Sequence, residues 1–170
     1  DRFDVFETNE QRLSRLKELA LEVKKGRTVL INTKSDRERT ELYDLLKAEG
    51  YSTEDVLFKF GADNERNEEA LKLKAGEQPI ILIATNIAGR GTDISPNGKM
   101  KAAGGLVQIN WGINESIRTD RQANGRAGRQ GAMGDSHTLV LADDAMIVTE
   151  LLQGTRWDEI AYGAFHRRNL

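Results

Sequence analysis

Two stretches of the chain combine glycine with arginine in a way that suits phosphate chemistry. The first, Ile83 to Ile94, reads Ile-Ala-Thr-Asn-Ile-Ala-Gly-Arg-Gly-Thr-Asp-Ile and sets Gly89 and Gly91 on either side of Arg90. Glycine has no Cβ, so backbone N–H groups there can approach a phosphate oxygen closely. Asp93 adds a carboxylate able to accept hydrogen bonds from a ribose hydroxyl. The same residues also suit a plain strand-to-helix turn with Asp93 as its cap. The second stretch, Gln122 to Gly131, reads Gln-Ala-Asn-Gly-Arg-Ala-Gly-Arg-Gln-Gly. Arg126 and Arg129 are three apart, so on a helical turn they share a face. Two converging guanidinium groups need an anion between them, and the spread charge of a transferring phosphoryl group is one that fits, as in an arginine finger. A solvated basic turn, or two arginines paired with nearby acids, is the alternative reading.

The elements that must position these loops follow from periodicity and punctuation. Thr8 with Gln11 reads as a capping box opening a helix to about Lys24, with Leu13, Leu16, Ala20 and Val23 on one face and Gly26 as its stop. Thr28 to Thr33 is a short apolar, β-branched run expected to be a buried strand. Ser35 and Glu38 form a second capping box, opening a helix that buries Leu42, Leu45 and Leu46 and ends at Gly50. Val56 to Phe60 reads as the next strand, and Asn64 caps a charged helix to about Lys74. Pro79 to Thr85 is the clearest buried strand, and it runs directly into the loop Ala88 to Asp93.

Pro96 to Lys99 reads as a turn, and Gly104-Gly105 leads into a strand over Leu106 to Asn110. Asn114 to Asn124 looks helical and ends in the loop Gly125 to Gly134. His137 to Leu141 is the last strand, after which Asp143 or Asp144 caps a helix to about Leu152. Strands alternating with helices predict an α/β fold, a parallel sheet covered by helices on both faces. In such folds ligands sit at the carboxyl ends of strands, and both Gly/Arg loops are expected there.

Bulk composition narrows the chemistry. A length of 170 residues fits one domain, here 1–152, with 153–170 as a helical extension or the start of a neighbouring domain. The formal charge of −2 lacks the basic excess of a dedicated nucleic-acid module. There is no cysteine and there are only two histidines, His137 and His166, which argues against thiol catalysis and against a His-based metal centre or triad, so no metal ligand is assigned. The most apolar run, Pro79 to Thr85, is far shorter than the roughly 20 residues that span a bilayer. No signal-like segment opens the chain, and a soluble, cytoplasmic domain is expected.

Taken together, the loop Ile-Ala-Thr-Asn-Ile-Ala-Gly-Arg-Gly-Thr-Asp-Ile and the loop Gln-Ala-Asn-Gly-Arg-Ala-Gly-Arg-Gln-Gly resemble motifs V and VI of the superfamily 2 helicases, and Thr28 to Ser35 resembles motif IV. The wording is closer to the protein-translocation ATPase family SecA than to RNA helicases, which more often carry a His-Arg pair where this chain has Gln122 and Ala123. Gly104 to Val107, Glu115-Ser116, Arg118, Asp120, Gln122 and Asp143-Asp144 with Met146 extend the resemblance over about Val5 to Met146. The chain departs from SecA at Asn110 to Asn114, where Gly-Thr-Glu-Arg-His is usual and the family contacts partner domains, at Ile117, and at Ala132-Met133.

The resemblance implies the second nucleotide-binding domain of a SecA-like motor, with a three-layer RecA-like, P-loop NTPase-like fold. It implies that Arg126 and Arg129 reach the γ-phosphate of ATP, that Asp93 contacts the ribose, and that Arg90 and Gln130 couple the nucleotide to domain movement. No Gly-x-x-x-x-Gly-Lys-[Ser/Thr] occurs in the sequence. ATP or ADP with Mg²⁺ is therefore expected to be gripped by a separate P-loop domain N-terminal to Asp1, and this fragment alone should not hydrolyse ATP. Unfolded polypeptide and a translocation machinery are the implied partners, with the parent protein cytoplasmic or peripheral to a membrane. The other readings are the C-terminal RecA-like domain of a nucleic-acid helicase and a non-catalytic interaction module, whose partner-binding feature would be the loop around Trp111.

Overall fold

A computed structural model describes residues 2–60, 68–85, 94–112 and 134–144. In chain order the elements are β1 (Arg2–Phe6), α1 (Asn9–Ala20) with a 3₁₀ extension (Leu21–Lys25), β2 (Val29–Thr33), α2 (Asp36–Ala48) and β3 (Leu57–Phe60). They continue with α3 (Glu68–Glu77), β4 (Ile81–Thr85), α4 (Gly98–Ala103), β5 (Val107–Trp111) and β6 (Asp135–Leu141).

Local chemistry accounts for most of the boundaries. The Thr8 hydroxyl accepts from the Gln11 N–H at 3.2 Å, and the Gln11 side chain accepts from the Thr8 N–H at 3.3 Å, completing the expected capping box. The box expected at Ser35 is only half formed. Its hydroxyl caps Glu38 at 3.2 Å, but the Glu38 carboxylate reaches one residue further back, to the N–H of Lys34, a donor left over where β2 ends. Gly26 and Gly50 stop their helices at φ of 89° and 101°, conformations that favour glycine.

The expected turn at Pro96 to Lys99 is instead the start of α4, because the Asn97 side chain accepts from the Met100 N–H at 2.9 Å. The helix expected to end near Lys74 continues to Glu77, and its expected cap, Asn64, lies outside the described residues. A helical turn starts at Ala142 directly after β6, so Asp143 and Asp144 sit inside it rather than ahead of it.

The strands form one parallel sheet in the order β1-β6-β5-β2-β4-β3. With right-handed crossovers, connections stepping towards β3 lie on one face and those stepping back towards β1 on the other. The core divides accordingly. Leu16 and Leu19 of α1 and Leu42 and Leu46 of α2 pack with Ile31, Ile83, Ile109 and Leu139, whereas Ala75 of α3 and Met100 of α4 pack with Leu30, Leu82 and Leu106. Successive strand residues thus feed opposite layers, which is why β2 and β4 read as continuous apolar runs rather than alternating ones. This is the expected three-layer α/β architecture.

Strand β1 was not foreseen from the sequence. It places a charged residue, Asp4, at a buried sheet position, next to Arg2 at 3.4 Å and Arg15 at 3.7 Å. Of its five residues Asp4, Val5 and Phe6 are buried, so a charged residue interrupts an already short apolar pattern.

Candidate functional site

The first Gly/Arg loop leaves the sheet where expected. Strand β4 ends at Thr85, beside Thr33 of β2, and the Thr33 hydroxyl donates to the Ala84 carbonyl at 3.2 Å. Gly89, Arg90, Gly91 and Asp93 themselves lie outside the described residues, as do Arg126, Arg129 and Gln130. The helices expected over Asn114 to Asn124 and in the tail also lie outside them, as does the boundary at 152.

The second loop is bracketed by opposite edges of the sheet. Its segment departs after Gly112, at the carboxyl end of β5, and returns at Gly134, ahead of the amino end of β6. The Asp135 N–H donates to the Leu106 carbonyl at 3.0 Å, so the return point is fixed at the amino edge beside the start of β5. The whole connection therefore runs from the carboxyl edge back to the amino edge, as any connection between parallel strands must, and the loop Gln122 to Gly131 within it lies outside the described residues.

At the carboxyl edge a compact cluster surrounds Gly112. The Arg12 guanidinium lies 3.9 Å from the centre of the Trp111 ring, and its Nε and Nη2 donate to the Asn9 side-chain oxygen at 3.1 and 2.8 Å. Arg12 is 7% exposed and Trp111 4%. Burial lowers the Arg12 pKa, and the carboxylates of Glu38 and Asp144 oppose that shift. Gly112 has φ 82°, and a Cβ there would come within 3.0 Å of the Lys34 side chain and 3.6 Å of Arg12 Nη1. Trp111 is thus committed to the core as the last residue of β5 and is not a solvent-facing partner contact.

At the amino edge Arg27 joins four elements. Its Nε donates to the Gly105 carbonyl and its Nη2 to the Gly104 carbonyl, both at 3.0 Å. Its Nη1 lies 3.0 Å from the Asp135 carboxylate and 3.4 Å from that of Glu22. The Arg27 side chain is 8% exposed. Neither Arg12 nor Arg27 was singled out by sequence reasoning. Gly104-Gly105 was the only trace, since a glycine pair before a strand permits a side chain to close on its carbonyls.

His137, in the middle of β6, is buried, and its pKa is lowered by burial and then by Arg15, with Asp135 and Asp4 acting in the other direction. Among the described residues no group of three or more His, Cys, Asp or Glu is arranged to hold a metal ion, and no helix is long and apolar enough to cross a membrane.

Comparison with known proteins now bears on this geometry. A family model described as the SecA P-loop domain matches residues 1–102 and 95–156. The chain belongs to the SecA P-loop domain family. It is 43% identical over 132 residues to the protein translocase subunit SecA of Phocaeicola vulgatus, covering 77% of this chain and 12% of that protein. It is 38% identical over 144 residues to the SecA subunit of Halothermothrix orenii, covering 84% of this chain and 17% of the relative. The chain therefore spans less than a fifth of the length of these SecA relatives. In structure it resembles the C-terminal part of the Fun30 ATPase domain, with a TM-score of 0.59 and 21% identity over 83% of this chain and 44% of that one. That likeness concerns the fold, which is RecA-like.

Proposed function

We propose that this chain is the second RecA-like motor domain of a SecA-like ATPase, formed by residues 1–152 and followed by a helical extension over 153–170. In this reading ATP is gripped by a P-loop carried on another domain, and Arg126 and Arg129 reach its γ-phosphate across the gap between the two. Gly89, Arg90 and Gly91 present backbone and charge to the nucleotide, Asp93 accepts from the ribose, and Arg90 and Gln130 pass the state of the nucleotide to the rest of the domain. The observation that carries this reading is the combination, within a SecA-family chain, of both Gly/Arg loops with no Gly-x-x-x-x-Gly-Lys-[Ser/Thr] of its own.

The chemistry assigned to this half is electrostatic. When water displaces ADP from the γ-phosphorus, charge spreads over the equatorial phosphoryl oxygens, and planar guanidinium groups meet those oxygens two at a time. Mg²⁺, held in this reading by the P-loop domain, would supply charge neutralisation at the phosphates. The work drawn from hydrolysis is closure and opening of the interdomain cleft, which in a SecA-like protein moves unfolded polypeptide. A cytoplasmic site of action, peripheral to a membrane through translocation machinery, belongs to the same reading.

The test is ATP turnover by the full-length protein that carries this chain, with Arg126→Ala and Arg129→Ala. Arginine fingers are worth about 10³ to 10⁵ in rate, so either variant should lose at least about a thousandfold in kcat. Turnover within about threefold of wild type in both variants would remove the phosphoryl-transfer role. Stimulation by RNA or DNA instead of by unfolded polypeptide would replace translocation with nucleic-acid remodelling.

A further inference from the structure

The segment bearing the proposed fingers re-enters the described fold through three interlocked contacts at one point. Gly134 is the first. A Cβ built on it would run into the backbone carbonyl of Leu106, so any other residue must push two backbones apart. The second is the hydrogen bond from the Asp135 N–H to that same carbonyl, at 3.0 Å. The third is the Asp135 carboxylate, 3.0 Å from Nη1 of Arg27. Arg27 is itself fixed by the Gly104 and Gly105 carbonyls at 3.0 Å each, and Gly104, at φ 123°, leaves no Cβ to crowd the guanidinium.

We infer that Gly134, Asp135 and Arg27 form an anchor that sets where the Arg126–Arg129 segment returns to the sheet, and that all three are positioning residues for the proposed ATP hydrolysis. This inference rests on the proposed function. Chain geometry gives the reason. Arg129 precedes Gly134 by only five residues in the sequence, a short tether for a chain that spans at most about 3.6 Å per residue. Within that tether, moving the anchor moves the origin from which the finger reaches. Phosphoryl transfer depends on charge placed at the transition state, and a displacement of about 1 Å in a positioned group can cost on the order of a hundredfold in rate. A planar guanidinium suits the fixed end of such an anchor, because it holds two carbonyls and a carboxylate in one plane, which a lysine ammonium cannot do.

The experiment compares kcat and KM for ATP in the full-length protein. The variants are Gly134→Ala and Asp135→Asn, with Arg126→Ala as the reference for a lost finger and Leu46→Ala as a control that weakens the fold elsewhere. Gly134→Ala should lower kcat about ten- to a hundredfold while the ATP KM stays within about twofold. Asp135→Asn changes a carboxylate that is 59% exposed, so the variant should keep the fold. It should lower kcat by about threefold or more, and Asp135→Glu should restore part of the loss. Leu46→Ala, assayed below its unfolding temperature, should keep its kcat.

If Arg126→Ala abolishes turnover while Asp135→Asn and every folded Gly134→Ala preparation keep wild-type kcat, the anchor is wrong and the proposed function stands. A kcat loss in Leu46→Ala matching that of the anchor variants also overturns it, because the effect is then general stability. If Arg126→Ala and Arg129→Ala both turn over like wild type, the proposed function fails and takes the anchor with it.

Discussion

The stacked pair Arg12 and Trp111 provides a sharp quantitative test of the carboxyl edge. Truncating Trp111 to Ala removes a ring that is 4% exposed, and such truncations cost about 4 kcal/mol through lost transfer energy and the cavity left behind. Truncating Arg12 removes the guanidinium 3.9 Å from the ring centre and its two hydrogen bonds to Asn9. A desolvated cation–π contact contributes about 2 kcal/mol, and the hydrogen bonds about 1 more. Burial disfavours the charge and lowers the Arg12 pKa, and relief of that penalty offsets part of these losses. Arg12→Ala alone should therefore cost about 2 kcal/mol.

If the two changes were independent, the double variant would lose about 6 kcal/mol. Because each deletes the same stack, the expected loss is about 4, a coupling of about 2 kcal/mol. Urea unfolding of the four proteins at one pH, with equal m-values, measures it. A coupling below about 0.5 kcal/mol would refute the claim that Trp111 holds a desolvated cation.

Other outcomes follow from residues already described. Leu46 is fully buried under α2, and Leu46→Ala should cost about 3 kcal/mol in the same urea assay. Thr8→Ala removes the hydroxyl half of the capping box and should cost about 1 kcal/mol, read as a lower urea midpoint. The depressed pKa of His137 means the unfolded chain takes up its proton first. Stability should hold above the ordinary value of 6.5 and fall as pH drops below it, and a His137→Asn variant should show a flatter profile between about pH 7 and 5.5. The isolated 170-residue chain should show no ATP turnover in a phosphate-release assay, and a clear rate would defeat the two-domain reading.

The sheet was legible because β2, β4 and β5 are buried on both faces and announce themselves as short apolar runs between glycine, proline and capping residues. Thr8 and Ser35 fixed their helix starts through hydrogen bonds that are local in sequence. What stayed hidden depended on distant partners. Strand β1 escaped because Asp4 is buried by Arg2 and Arg15, and α4 escaped because Asn97-Gly98 reads equally as a turn and as a cap. Arg27 escaped because its partners, Gly104, Gly105 and Asp135, are far away in the chain. The proposed site was legible only as motifs. Composition marked Arg126, Arg129 and Asp93 as suited to phosphate and ribose, and the observed ends of β5 and β6 show where the connection carrying the second motif leaves and rejoins the sheet.

The pairing of β1 with β6 also governs when the domain can be completed. Arg2 lies opposite His137 and Phe6 opposite Leu141, so the first strand made waits for the last of the sheet. At synthesis rates of about 5 to 20 residues per second, that wait is roughly 7 to 27 s. Throughout it Val5 and Phe6 lack the strand that they pair with in the finished sheet.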